Sequence, residues 1–320
     1  MSRLLPTLVL LLVALLLVAG LGWGSAFQRE LQAQRQRLLD GSRLLHTACG
    51  VIEVGESGPA EGPVLLVLHG SGGGFDQGLA LGRDFAPAGT RLIAPSRFGY
   101  LRTPFPDDPS PERQADHLAC LLDALGVRRA AVMGVSAGAV SALHFAVRHA
   151  DRTRALLLVV PAVYRPDPAV PMPAWALRVL DTVVSADLPF WLLSRWAPDT
   201  ARRIVLATPS VAYAAVDADE RQRADQMLAQ ILPVSARRHG LLNDSRLSTA
   251  AARVALESIR APTLCISARD DGYGTYASAE YSAAHIPGAR FLGFDEGGHL
   301  LLGHRDAVRQ AVAALLQAGD

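Results

Sequence analysis

Short apolar runs alternate with longer stretches of helical periodicity along most of the chain. β-rich runs occupy residues 51–54, 64–68, 91–94, 130–134, 155–160, 263–267 and 290–294, and helix-like patterning covers 112–125, 137–149, 276–284 and 305–317. Runs that are apolar on both faces suit strands buried inside a parallel sheet, and amphipathic stretches between them supply the crossover helices. The pattern therefore predicts an α/β fold, a mostly parallel sheet with helices on both faces, with residues 42–56 as an antiparallel hairpin at one edge.

Two intervals break this rhythm. Between the strands ending near 160 and beginning at 263 lie about a hundred residues with helical patterning and no strand signal, too long for a structureless loop. The interval opens with Pro161, Pro166, Pro168, Pro171 and Pro173 and goes on to Trp175, Phe190, Trp191 and Trp196. It reads as a helical cap over 162–260, inserted between core segments 44–161 and 261–320, with its aromatics as core and lid packing.

At the other break, residues 4–21 carry no charge and only Thr7 interrupts the apolar run. As a helix this stretch would be roughly 27 Å long, close to a bilayer's hydrocarbon thickness. Residues 1–26 are therefore expected to be a transmembrane anchor or a signal segment, and 27–43 a helical stalk. The corresponding expectation for location is membrane-anchored, or secreted or periplasmic if the segment is cleaved.

Composition narrows the function classes. The 320 residues carry a net charge of +1, which gives no bulk attraction to nucleic acid or to an acidic substrate. Three cysteines, Cys49, Cys120 and Cys265, are an odd number at spacings that fit no metal site. With Cys265 inside an apolar run, no disulfide framework is expected.

The chemistry-bearing residues follow predicted strands. Gly134-Val135-Ser136-Ala137-Gly138 stands between a strand and a helical stretch, matching a nucleophile elbow, in which small neighbours let strand and helix approach closely around an exposed serine. His69-Gly70-Ser71-Gly72-Gly73-Gly74 follows an earlier strand. The N–H of Ser71, with Gly72 as a further candidate, and that of Ala137 are expected to form an oxyanion hole, while His69, Gly70, Gly72, Gly134 and Gly138 shape the two turns. Asp270-Asp271 and Gly298-His299 follow the strands at 263–267 and 290–294. That places a carboxylate and an imidazole at the strands' carboxyl ends, where the catalytic groups of open α/β sheets gather.

The combination of His69-Gly70, Gly134-x-Ser136-x-Gly138, Asp271 and Gly298-His299 resembles the α/β-hydrolase superfamily, in the branch with a helical cap between strands 6 and 7. The resemblance covers about residue 51 to the C-terminus and implies an eight-stranded sheet. It also implies a triad of Ser136 as nucleophile, His299 as base and Asp271 as acid. Relatives place the acid three residues after a glycine; Ala268 stands in that position here, which selects Asp271 over Asp270. The family's loop D-x-R-G-x-G after the fourth strand reads Ser96-Arg97-Phe98-Gly99-Tyr100 here, without the Asp. The implied activity is hydrolysis of a small-molecule carboxylic ester with an apolar group through an acyl-serine, with no cofactor or metal. The alternatives on the same residues are C–C hydrolysis of a β-diketone-like acid, acyl transfer, amide cleavage, or a binding protein without turnover.

Overall fold

A computed structural model describes residues 4–167, 172–249 and 253–318, the side chains of 4–21, 248–249 and 318 excepted. The chain divides into two compact units, 1–40 and 41–320. The first contains one helix, α1 (Leu4–Asp40), so the helix expected over 27–43 is the C-terminal part of α1. Among the described residues, no helix is long and apolar enough to cross a membrane. This corrects the expectation of an N-terminal anchor, and with it the membrane-based location. Arg29, Glu30, Arg35, Arg37 and Asp40 lie in the part of α1 expected as a stalk, and a segment so charged cannot itself supply the apolar span. The apolar stretch on which the expectation rested has its side chains outside the described residues.

In the second unit, β1 (Arg43–Thr47) and β2 (Gly50–Ser57) form the edge hairpin. There follow β3 (Val64–Leu68), α2 (Phe75–Phe85), β4 (Arg91–Pro95), α3 (Pro111–Ala124), β5 (Ala130–Val135), α4 (Gly138–Arg148) and β6 (Thr153–Val159). Helices α5 (Ala174–Val184), α6 (Asp187–Trp196), α7 (Pro198–Val205), α8 (Ser210–Ala215), α9 (Ala218–Ala229) and α10 (Arg238–Thr249) fill the interval before β7 (Thr263–Ala268). The chain ends with α11 (Thr275–His285), β8 (Arg290–Phe294) and α12 (Arg305–Ala318).

The eight strands form one sheet in the order β1-β2-β4-β3-β5-β6-β7-β8. β1 pairs antiparallel with β2 and β2 with β4, and every other pairing is parallel. Strand β5 is buried at all six positions, as a strand covered on both faces must be. The helix α3 shows how the sequence builds a face. Ser110 caps it by accepting from the Arg113 N–H at 3.2 Å, and Pro111 occupies the first turn, where its missing N–H costs nothing. Its Leu118 and Leu122, four apart on one face, pack with Leu143 and Phe145 of α4 into the core that also takes Leu66, Val132 and Leu156 from the sheet.

Within the insertion, Phe190 and Trp191 are buried, whereas Trp175 and Trp196 stay largely exposed. The cysteines also depart from expectation. Cys265 is buried and free in β7, but Cys49, in the turn between β1 and β2, is disulfide-bonded to Cys120 of α3. The two lie 71 residues apart in sequence. Only the packing of α3 beside the edge hairpin brings them together, so spacing alone gave no sign of the bond.

Candidate functional site

Ser136 follows the last residue of β5 with a left-handed φ of 52°, a conformation that non-glycine residues adopt only under constraint. The constraint is visible in its backbone. Its N–H donates to Val159 O at 2.9 Å, and its carbonyl accepts from Ala139 N and Ala162 N, both at 3.1 Å. The glycines on either side are required by close approach. A Cβ at Gly138 would lie 2.3 Å from Leu68 O, and one at Gly134 would lie 2.6 Å from Ala139 Cα. Strand, serine and helix thus close into a turn too tight for larger neighbours.

His299 lies after β8 and Asp271 after β7, as expected of the carboxyl ends of adjacent parallel strands. His299 Nδ1 donates to Asp271 Oδ2 at 2.8 Å. Asp271 also accepts from Tyr273 N at 2.9 Å and from the Thr275 hydroxyl. Burial pushes its carboxyl up, but the His299 ring and these hydrogen bonds outweigh burial and hold it below the usual carboxylate range. With Nδ1 committed to Asp271, the lone pair of His299 resides on Nε2. Ser136 and His299 line one pocket with Gly70, Ser71 and Gln77. Among the described residues no direct hydrogen bond joins Ser136 Oγ to the ring, a separation common before substrate binds.

Asp270 has a different place. Its Oδ1 accepts from Gly298 N at 2.8 Å and its Oδ2 from Gly297 N at 3.2 Å. The adjacent carboxylates therefore divide the work: one holds the imidazole, the other the backbone that presents it. His304 turns away and stacks on Phe294 with ring centroids 3.9 Å apart.

The loop from His69 to Gly74 curls beside Ser136. Gly70 N–H donates to Gln77 Oε1 at 2.9 Å and Gly72 N–H reaches Tyr100 Oη at 3.4 Å. Ser71 N–H and Ala137 N–H meet no acceptor among the described residues. Both N–H groups are therefore uncommitted, whereas the Gly72 N–H is occupied elsewhere.

His69 is fully buried and shapes this loop. Its Nδ1 donates to Gly70 O at 2.8 Å and its Nε2 accepts from Arg97 N at 3.0 Å. Burial, and then the Arg97 charge, push its pKa down to about 3 from the usual 6.5. The unfolded imidazole takes up a proton near 6.5 and the folded one does not, so between these values the unfolded state binds more protons and stability falls as pH falls. His69 alone is expected to remove about 1.5–2 kcal/mol between pH 6.5 and 5. His117 and His144, also depressed by burial, add to it with the same sign. Urea unfolding at the two pH values checks this; equal stability at both would show that His69 is not held neutral.

The pocket wall is completed by Leu81, Phe85, Val159, Val205, Leu206, Met227, Tyr273 and Leu300. Helix α7, the residue after it, and helix α9 supply Val205, Leu206 and Met227, so the insertion contributes apolar groups to the pocket that holds Ser136. Sequence reading did not single out Gln77, Tyr100, Thr275 or the backbone role of Asp270, because each acts through a contact distant in sequence or through the main chain.

Comparison with known proteins agrees with this architecture. A family model described as alpha/beta hydrolase fold matches residues 63–305. A 2-hydroxy-6-oxononadienedioate/2-hydroxy-6-oxononatrienedioate hydrolase of Paraburkholderia xenovorans is 30% identical over 220 residues, covering 65% of this chain and 71% of that protein. A 2-hydroxymuconate semialdehyde hydrolase of Pseudomonas putida is 37% identical over 102 residues, 31% of this chain and 36% of its own length. Matches to such curated relatives thus span between about a third and four fifths of those proteins. Among solved structures, an alpha/beta hydrolase fold protein from Nakamurella multipartita superposes with a TM-score of 0.69 at 31% identity, over 87% of this chain and 100% of that one.

Proposed function

Because this chain belongs to the α/β-hydrolase family, we propose that it hydrolyses a small carbonyl compound through an acyl intermediate on Ser136. One observation carries the reading: a serine locked at φ 52° shares a pocket with an imidazole whose Nδ1 is committed to a buried carboxylate. In this scheme Nε2 of His299 takes the Ser136 proton as Oγ attacks the carbonyl carbon. The developing oxyanion accepts from Ser71 N–H and Ala137 N–H, and Asp271 stabilises the imidazolium. The imidazolium then protonates the leaving group, and water, activated by the same ring, releases the acyl group. The helices of 162–260 act as the cap over this pocket.

For the bond that breaks, the curated relatives give the stronger support. The substrates in their names are enol and carbonyl acids without an ester or amide linkage, so hydrolysis there must break a carbon–carbon bond. We therefore place C–C hydrolysis first. A carbon leaving group departs only as a stabilised enolate, so the substrate class is a carbonyl compound whose departing carbon is conjugated to a second carbonyl. A second reading, hydrolysis of a carboxylic ester with an apolar acyl or alcohol group, is favoured by the pocket wall. Its described lining is mostly aliphatic and aromatic and includes no arginine, a poor match for a dicarboxylate.

Turnover of a 2-hydroxy-6-oxodienoate, followed by loss of its chromophore, is to be compared with turnover of p-nitrophenyl acetate and butyrate. The C–C reading expects the higher kcat/KM on the dienoate. An ester preference of 100-fold or more would replace it with the second reading. A folded protein that turns over neither and takes no fluorophosphonate label would be a binding protein.

A further inference from the structure

The helical insertion does more than line the pocket, because α10 sends one carboxylate down to the oxyanion loop. Asp244 is 3% exposed. It accepts from Arg97 Nη1 at 2.8 Å and Nη2 at 2.6 Å, from Tyr100 Oη at 2.5 Å and from Ser71 Oγ at 2.8 Å. Each of these partners reaches the loop at a different point. Arg97 Nε donates to His69 O at 2.9 Å, and its N–H donates to the His69 ring. Tyr100 Oη receives Gly72 N–H, and Ser71 is held directly. A second residue of the insertion, Arg237, is completely buried and donates to Gly73 O at 2.5 Å and to Asp76 at 3.1 Å.

We propose that Asp244 is a positioning residue for the oxyanion hole, fixing the Ser71 N–H through the Ser71 hydroxyl and the Arg97–Tyr100 frame. Hydrolysis then depends on α10 being docked. The inference rests on the reading of Ser71 N–H as an oxyanion donor.

Physical chemistry favours a carboxylate here for two reasons. An ionised carboxylate only accepts, so the Ser71 hydroxyl must point its proton at Asp244 and away from the substrate, which leaves the backbone N–H as the donor Ser71 offers. A bare negative charge beside a developing oxyanion would oppose the reaction. Its bidentate pairing with Arg97 answers that charge, and the fork geometry fixes direction as well as distance. Burial raises the Asp244 carboxyl, but the Arg97 charge and the hydrogen bonds prevail and keep it ionised.

Asparagine at 244 offers one carbonyl oxygen where four donors converge, and its NH₂ opposes the others. Asp244→Asn is therefore expected to lower kcat by about 10- to 100-fold with KM nearly unchanged, since a displaced oxyanion donor acts on the transition state and spares ground-state binding. Ser71→Ala is the milder test. It keeps the N–H and the Arg97–Asp244 pair but cuts the tether, and it is expected to reproduce the kcat loss in part, with little change in Tm.

The measurement is steady-state kinetics on the full chain, with fluorophosphonate labelling rates for wild type and both variants. Parallel losses in kcat and labelling rate at constant KM support the proposal. Lower Tm with wild-type kcat in Asp244→Asn, or unchanged kinetics in Ser71→Ala, would overturn it and leave Asp244 a stability residue. Wild type that neither labels nor turns over would instead overturn the hydrolase reading, and this proposal with it.

Discussion

Replacing Ser136 with alanine is expected to lower kcat by about 10⁴-fold or more while leaving the fold intact. The fold should survive because the elbow is held by the backbone bonds of residue 136 to Val159, Ala139 and Ala162, and by the absence of side chains at Gly134 and Gly138. None of these needs the hydroxyl. Activity should vanish because, among the described residues, the free thiol of Cys265 is buried in β7, where burial pushes its pKa up to about 12, and the Ser71 hydroxyl in the same pocket is committed to Asp244. Intact mass after fluorophosphonate treatment should show one adduct on wild type, mapped to the peptide containing Ser136, and none on the variant. A variant that keeps more than about 1% of wild-type turnover would mean that acyl transfer does not run through Ser136.

Asp271→Asn is expected to lower kcat by about 10³- to 10⁴-fold, and Asp270→Asn by about tenfold. The asymmetry follows from what converges on each carboxylate. Asp271 faces three donors, from His299, Tyr273 and Thr275. An amide cannot accept from all of them, and its NH₂ would favour the imidazole tautomer whose Nε2 carries the proton. That tautomer cannot deprotonate Ser136. Asp270 accepts two backbone N–H groups, and asparagine keeps one of the two bonds, which loosens the loop without changing the tautomer. Kinetics of the two variants side by side decide the assignment: a larger loss in Asp270→Asn would give the acid's role to the other residue.

What the sequence made legible was whatever is written in contiguous residues. The strand at 64–68 is an unbroken apolar run, and those at 130–134 and 263–267 have apolar centres. The elbow and the Gly-Gly-His loop are local patterns whose spacing carries their meaning. Helix α2 escaped notice because Gly78 and Gly82 interrupt its periodicity. Their role is in the third dimension, since a Cβ at Gly78 would lie 2.9 Å from Ala94 of β4, so the helix packs on the sheet through its glycines. The Cys49–Cys120 bond and the Asp244–Arg97 pair join residues 71 and 147 apart, and no local pattern encodes such a meeting. Arg97 did stand in a loop that departs from the family's pattern, and in the structure it pairs with Asp244. The N-terminal expectation failed for the opposite reason. It rested on a local apolar pattern at 4–21 with aromatics at its edge, whereas no helix among the described residues is long and apolar enough to cross a membrane.

The pairing of β6 with β7 joins Leu156 to Thr263, across the whole helical insertion. Closing a loop of about a hundred residues costs about 4 kcal/mol of chain entropy before any contact repays it. As the protein is synthesised, Ser136 and the sheet as far as β6 emerge first, with the β6 edge unpaired. The base and the acid arrive only with the last strands. On the proposed roles, the nascent chain carries Ser136 without base or acid until the insertion has folded and both β7 and β8 have docked. This long closure should set the pace of maturation, and premature termination beyond β6 should yield a sticky sheet edge without hydrolytic activity.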